Sequence, residues 1–107
     1  MPPKLVVMAT YCFDLDLTLC LTEGTDYHSS KPIPERIRRV NKLYDEGHKI
    51  IILTARGSMS GIDFYDLTKS QLSSWGMRYH SLQLGKPAAD YYVDDKAVNS
   101  EDFEWAT

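Results

Sequence analysis

Apolar positions along the chain follow two rhythms. Thr10 to Leu15 (TYCFDL) is aromatic and apolar with no polar interruption before Asp14, which predicts a strand buried on both faces. Lys49 to Leu53 repeats the pattern and ends at Thr54, Tyr79 to Leu84 predicts a third strand, and Tyr91 to Val93 a shorter fourth that runs into Asp94 and Asp95. Between them the spacing becomes helical. Pro34 suits a first helical position, Ile37, Val40, Leu43 and Tyr44 recur on one face, and Gly47 is placed to stop the helix. A second helix is predicted over Asp63 to Trp75, with Phe64, Leu67, Thr68, Leu72 and Trp75 inward and Gly76 as its stop. Ser100 to Trp105 predicts a last helical turn, with Trp105 as a tail anchor.

Continuous apolar strands alternating with amphipathic helices indicate an α/β fold. The expectation is a three-layer, Rossmann-like domain: a parallel sheet of about four strands, joined by right-handed crossovers and covered on both faces. No repeat or linker divides residues 1–107, and that length suits a single domain. A composition of 43% hydrophobic and 25% charged residues excludes disordered, collagen-like and coiled-coil classes. Apolar runs such as Ile50 to Leu53 fall far short of the roughly 20 residues of a membrane helix. Met1-Pro2-Pro3-Lys4 does not read as a leader, so a cytoplasmic protein without membrane contact is expected. Cys12 and Cys20 form no CxxC pair and are expected to pack in or near the core.

Charge changes the picture more than composition does. The net charge of −3 argues against nucleic-acid binding, which needs a basic face. The acidic excess lies in two clusters, Asp14 with Asp16 and Asp94 with Asp95. In the predicted fold these clusters, Thr54 and Lys86 all stand at the carboxyl ends of strands, the edge at which open parallel sheets bind ligands. Four converging carboxylates need a cation, and oxygen ligands without a Cys or His pair favour Mg²⁺. Lys86 and the Thr54 hydroxyl are suited to hold a phosphoryl group. With no Walker A, GxGxxG or kinase pattern, and no arginine spaced for a cysteine-phosphatase loop, an aspartate is the remaining candidate nucleophile.

Four segments, FDLDLTL (Phe13 to Leu19), IILTARG (Ile51 to Gly57), GKP (Gly85 to Pro87) and YYVDD (Tyr91 to Asp95), resemble the ordered motifs of the haloacid dehalogenase (HAD) superfamily of phosphatases. TARG and GKP are further similar to compact bacterial phosphatases of capsule and surface-sugar biosynthesis. Leu17 departs from the glycine that many members carry there. The resemblance implies a Mg²⁺-dependent phosphomonoester hydrolase working through an aspartyl-phosphate on a small phosphorylated sugar or polyol. It implies Asp14 as nucleophile and metal ligand, and Asp16 as general acid and base with its carbonyl on the metal. Thr54 and Lys86 are then the phosphate clamps, Asp94 a direct metal ligand and Asp95 either a ligand through water or a brace behind the ligands.

The intervals between motifs leave no room for a cap domain, so the site is expected to be open, covered only by Leu21 to Ile33, with a second copy of the chain as one way to cover it. Arg56 is a candidate contact to a substrate phosphate or carboxylate, balanced against a solvated arginine or a helix-end partner. Tyr27, His28 and Lys31 lie in the covering segment, and His28, His48 and His80 read as exposed. Two rival readings are a receiver-like phospho-aspartate signalling module and a catalytically idle HAD-fold binding protein. The first is opposed by motif order, since here the DxD comes first and the acidic pair last. The second is opposed by the full motif set.

Overall fold

The computed structural model describes residues 7–106; Met1 to Lys4, and with them the reading of the amino terminus, lie outside the described residues. Three strands, β1 (Thr10–Phe13), β4 (Lys49–Thr54) and β5 (Ser81–Leu84), form a parallel sheet with β4 in the middle. Helix α1 (Pro34–Asp45) leads from β1 to β4, and α2 (Tyr65–Ser74) from β4 to β5. A small antiparallel pair, β2 (Cys20–Leu21) with β3 (Lys31–Pro32), interrupts the first crossover, with one 3-10 turn (Tyr27–Ser29) between its strands. The architecture is a small Rossmann-like α/β arrangement of three parallel strands and two helices.

Both helices start and stop where their sequence dictates. Pro34 occupies the first turn of α1, where its missing N–H costs nothing, and the Ile33 N–H donates to the Leu19 carbonyl at 2.9 Å, tying the helix start to the loop after β1. Gly47 ends α1 at φ 98° and Gly76 follows α2 at φ 69°. Ile37, Val40 and Leu43 of α1 and Leu72 of α2 share one core with Phe13 of β1 and Ile50 and Ile52 of β4.

The sheet is covered on one face, not two. Strand order follows chain order, so both right-handed crossovers run the same way across the sheet and deliver both helices to the same side. The register agrees. Tyr11 and Phe13 align with Ile50 and Ile52 on the covered face, whereas Cys12, Lys49 and Gln83 on the other face are exposed and Ile51 and Leu53 half-buried. The expected three layers are two, and Cys12 is exposed while Cys20 is buried.

The fourth predicted strand is likewise replaced. Tyr91 to Val93 adopts no strand, and Tyr91 and Val93 are 86% and 97% exposed. Three residues offer few ladder bonds, and local contacts take their place: the Tyr92 hydroxyl donates to the Pro87 carbonyl and accepts from the Ala89 N–H, and its ring lies over Lys86. Ser100 to Trp105 makes a hydrogen-bonded turn at Asn99 to Asp102 instead of a helix. Its Phe103 and Trp105 pack on Tyr11 and Phe13, so Trp105 anchors the tail as expected. No helix among the described residues is long and apolar enough to cross a membrane.

Candidate active site

The loop after β1 is wound tightly enough to present two carboxylates. The N–H groups of Thr18, Leu19 and Cys20 all reach the Leu15 carbonyl, at 3.1, 2.8 and 3.3 Å, which turns the chain back on itself between Asp14 and Cys20. Leu15 and Leu19 point into the core at 0% exposure, so Asp14 and Asp16, on the other side of this turn, are half-buried and open to neighbours. Leu17 at the tip takes a left-handed φ of 65°, the conformation in which glycine is free of strain.

Asp14 is paired with Lys86. The ammonium stands 3.2 Å from its Oδ1, and the Thr18 hydroxyl donates to Oδ2 at 3.3 Å. Lys86 is brought there by β5 and by its own N–H, which donates to the Thr54 carbonyl at 3.2 Å and so fastens the Gly85-Lys86 loop to the end of β4. The side chain is held between the Asp14 carboxylate and the Tyr92 ring, 4.3 Å from its centroid. Asp14 remains 36% exposed and open to a ligand.

Asp16 has a different partner. Arg56 meets it side-on, Nε 3.0 Å from Oδ2 and Nη2 2.9 Å from Oδ1, and the Thr22 hydroxyl donates to Oδ1 at 2.6 Å. Burial by itself raises the carboxyl pKa, but the hydrogen bonds from Arg56 and Thr22 and the Arg56 charge outweigh it and hold Asp16 below its ordinary range. The neighbouring Cys20 thiol is pushed up to about 11, chiefly by burial.

Arg56 is the largest departure from expectation. It is neither solvated nor open to a substrate: its side chain has 0% exposure. Nη1 donates to Thr68 at 3.1 Å and Gln71 at 2.6 Å, Nη2 also to Ser30 at 3.1 Å, and the guanidinium lies 4.8 Å above the Tyr27 ring. Gln71 in turn donates to the Tyr27 carbonyl at 2.6 Å. Thr54 ends β4 as predicted but is 1% exposed, and its hydroxyl accepts the Arg56 N–H at 3.2 Å, bracing the turn into Ala55 to Gly57. In that turn Gly57, at φ 80°, has no room for a side chain, since a Cβ would stand 2.0 Å from the Ile62 carbonyl oxygen.

The second acidic cluster stays away. Asp94 and Asp95 are exposed, and Asp94 accepts the Lys96 N–H at 2.8 Å, a bond that lowers its pKa. Among the described residues no three of Asp, Glu, His and Cys stand where they could hold a metal. The predicted ligand set of Asp14, Asp16, Asp94 and Asp95 is therefore not assembled, because the strand meant to carry its second half does not join the sheet. Asp14 and Asp16 are moreover each engaged by a cation of the chain, Lys86 and Arg56.

Of the residues singled out from sequence, Asp14, Asp16, Thr54, Arg56 and Lys86 converge at the carboxyl end of the sheet. Thr22, Ser30 and Gln71 were missed. Thr68 carried a signal, a hydroxyl on the apolar face of a helix, which calls for a buried partner. His48 is buried, its Nδ1 accepting the Ala9 N–H at 3.0 Å, and His80 is exposed with Nδ1 accepting from Ile50 at 3.0 Å.

Comparison with protein families and with curated proteins finds no match. Among solved structures, a structural-genomics target from Vibrio cholerae is similar over 89% of this chain and 86% of its own, with a TM-score of 0.80 and 25% sequence identity.

Proposed function

We propose that this chain is a phosphomonoester hydrolase of the HAD type in which Asp14 is the nucleophile. The observation that carries the reading is the pairing of Asp14 with Lys86 at a partly open strand end, with Asp16 two residues on in the same tight turn. A carboxylate whose counter-ion is a lysine at 3.2 Å sits beside a cation able to receive the oxygens of an incoming phosphoryl group.

In the first step an Asp14 oxygen bonds to phosphorus while the bond from phosphorus to the leaving oxygen breaks, and the leaving oxygen takes a proton from Asp16 in its acid form. In the second, water loses a proton to the Asp16 carboxylate and attacks phosphorus, releasing phosphate and restoring Asp14. Lys86 offsets the charge on the phosphoryl oxygens throughout. A Mg²⁺ ion held by Asp14 and the Asp16 carbonyl would offset further charge on the phosphoryl oxygens, and no step is routed through it.

Arg56 favours the ionised form of Asp16, so the base half of this cycle is the better served. Substrates whose leaving oxygen needs no proton, such as p-nitrophenyl phosphate, should turn over faster than alkyl phosphates. The proposal is tested by phosphate release from a panel of phosphorylated sugars, polyols and p-nitrophenyl phosphate. Asp14→Asn should abolish release while circular dichroism stays unchanged, and Asp16→Asn should accumulate a phosphorylated chain seen by intact-mass spectrometry. Near-normal turnover by Asp14→Asn overturns the reading.

A further inference from the structure

We propose that Arg56 is a positioning residue for Asp16, not a contact to substrate, and that it couples Asp16 to the covering segment and to α2. This inference rests on the hydrolase reading for what Asp16 does, and on geometry alone for how Asp16 is held.

A guanidinium has five N–H donors in a fixed fork. Asp16 takes the Nε and one Nη2 proton, Ser30 the other, and Thr68 and Gln71 the Nη1 pair. Every donor is thus matched inside the chain, and no side-chain surface is left for a ligand. The partners also come from three separate places: Asp16 from the loop after β1, Ser30 and Tyr27 from the covering segment, Thr68 and Gln71 from α2. A side-on pair fixes both carboxylate oxygens at once, so the fork sets the direction in which Asp16 can exchange a proton. A lysine supplies the charge but not the fork.

Two measurements test this. In steady-state hydrolysis of p-nitrophenyl phosphate, Arg56→Lys should lower kcat about tenfold or more while KM stays within about twofold, and Thr68→Val, which trims the far side of the fork, should lower kcat severalfold in the same pattern. In ¹H–¹⁵N spectra of the parent protein the Arg56 Nε–H should give a slowly exchanging signal that moves on Asp16→Asn. A tenfold rise in KM with kcat retained makes Arg56 a substrate contact and overturns the proposal. So does an Arg56 signal that is lost to rapid exchange or indifferent to Asp16→Asn. If the parent hydrolyses no phosphomonoester, the functional reading fails by itself, and the Arg56 signal still decides whether the fork holds Asp16. If Arg56→Lys does not fold, Thr68→Val and the parent spectrum carry the decision.

Discussion

Asp16 shows how a single residue's surroundings reach the stability of the whole chain. Its carboxyl is lowered from an ordinary 3.8 because the bonds from Arg56 and Thr22 outweigh the burial that opposes them. A carboxylate with a depressed folded-state pKa stabilises the fold above its unfolded pKa and loses that contribution as pH falls through the folded value. Stability measured by urea unfolding should therefore decline as pH drops below about 4, and Asp16→Asn should flatten that decline while lowering stability at neutral pH by leaving the Arg56 charge buried and unpaired. A decline of equal steepness in both proteins removes Asp16 from the account. Leu17 and Gly57 make a contrasting pair: both hold left-handed φ, but Leu17 projects outward at 65% exposure and bears only the backbone strain of that conformation, whereas Gly57 also faces a carbonyl that any Cβ would strike.

At the scale of elements, α1 and the carboxyl-terminal tail hold each other. Arg36 donates to the Thr18 carbonyl at 3.0 Å and lies 4.8 Å under the Trp105 ring, and Arg39 donates to the Glu104 carbonyl at 3.0 Å. Phe103 and Trp105, edge to face at 4.7 Å, cover Phe13 at the start of the loop that bears Asp14. The tail thus supports the candidate site from behind. Trp105→Ala should cost about 2 kcal/mol of stability, the scale of one aromatic side chain returned to water. Differential scanning calorimetry checks it, and an unchanged melting temperature means the tail is not packed. The Arg36 pair with Glu101 at 3.4 Å, whose acid is 79% exposed, adds little by comparison.

For the whole molecule, the decisive feature is that one face of the sheet is packed and the other is not. Ile52→Ala, on the packed face at 0% exposure, should cost about 2–5 kcal/mol, whereas Cys12→Ser, on the open face of β1, should stay within about 0.5 kcal/mol of the parent. Chemical denaturation of both variants checks the pair; a large loss from Cys12→Ser places a second layer over that face.

Periodicity and punctuation were enough to read α1, α2 and β4 almost to their ends, because Ile37, Val40 and Leu43, or Ile50 and Ile52, are set by spacings of three, four or two residues that a single segment carries. They also placed Asp14, Asp16, Thr54 and Lys86 at one edge, since a parallel sheet aligns all its carboxyl ends. What only the tertiary structure decided is which partner each group finds. Tyr91 to Val93 has the apolar character of a strand, yet it folds on Lys86 and Pro87 and keeps Asp94 and Asp95 from the others. Arg56 has the look of a substrate contact, yet residues 16, 30, 68 and 71 close around it. Such contacts depend on which distant segments meet after the chain has folded, a balance of loop closure against burial that no local pattern records.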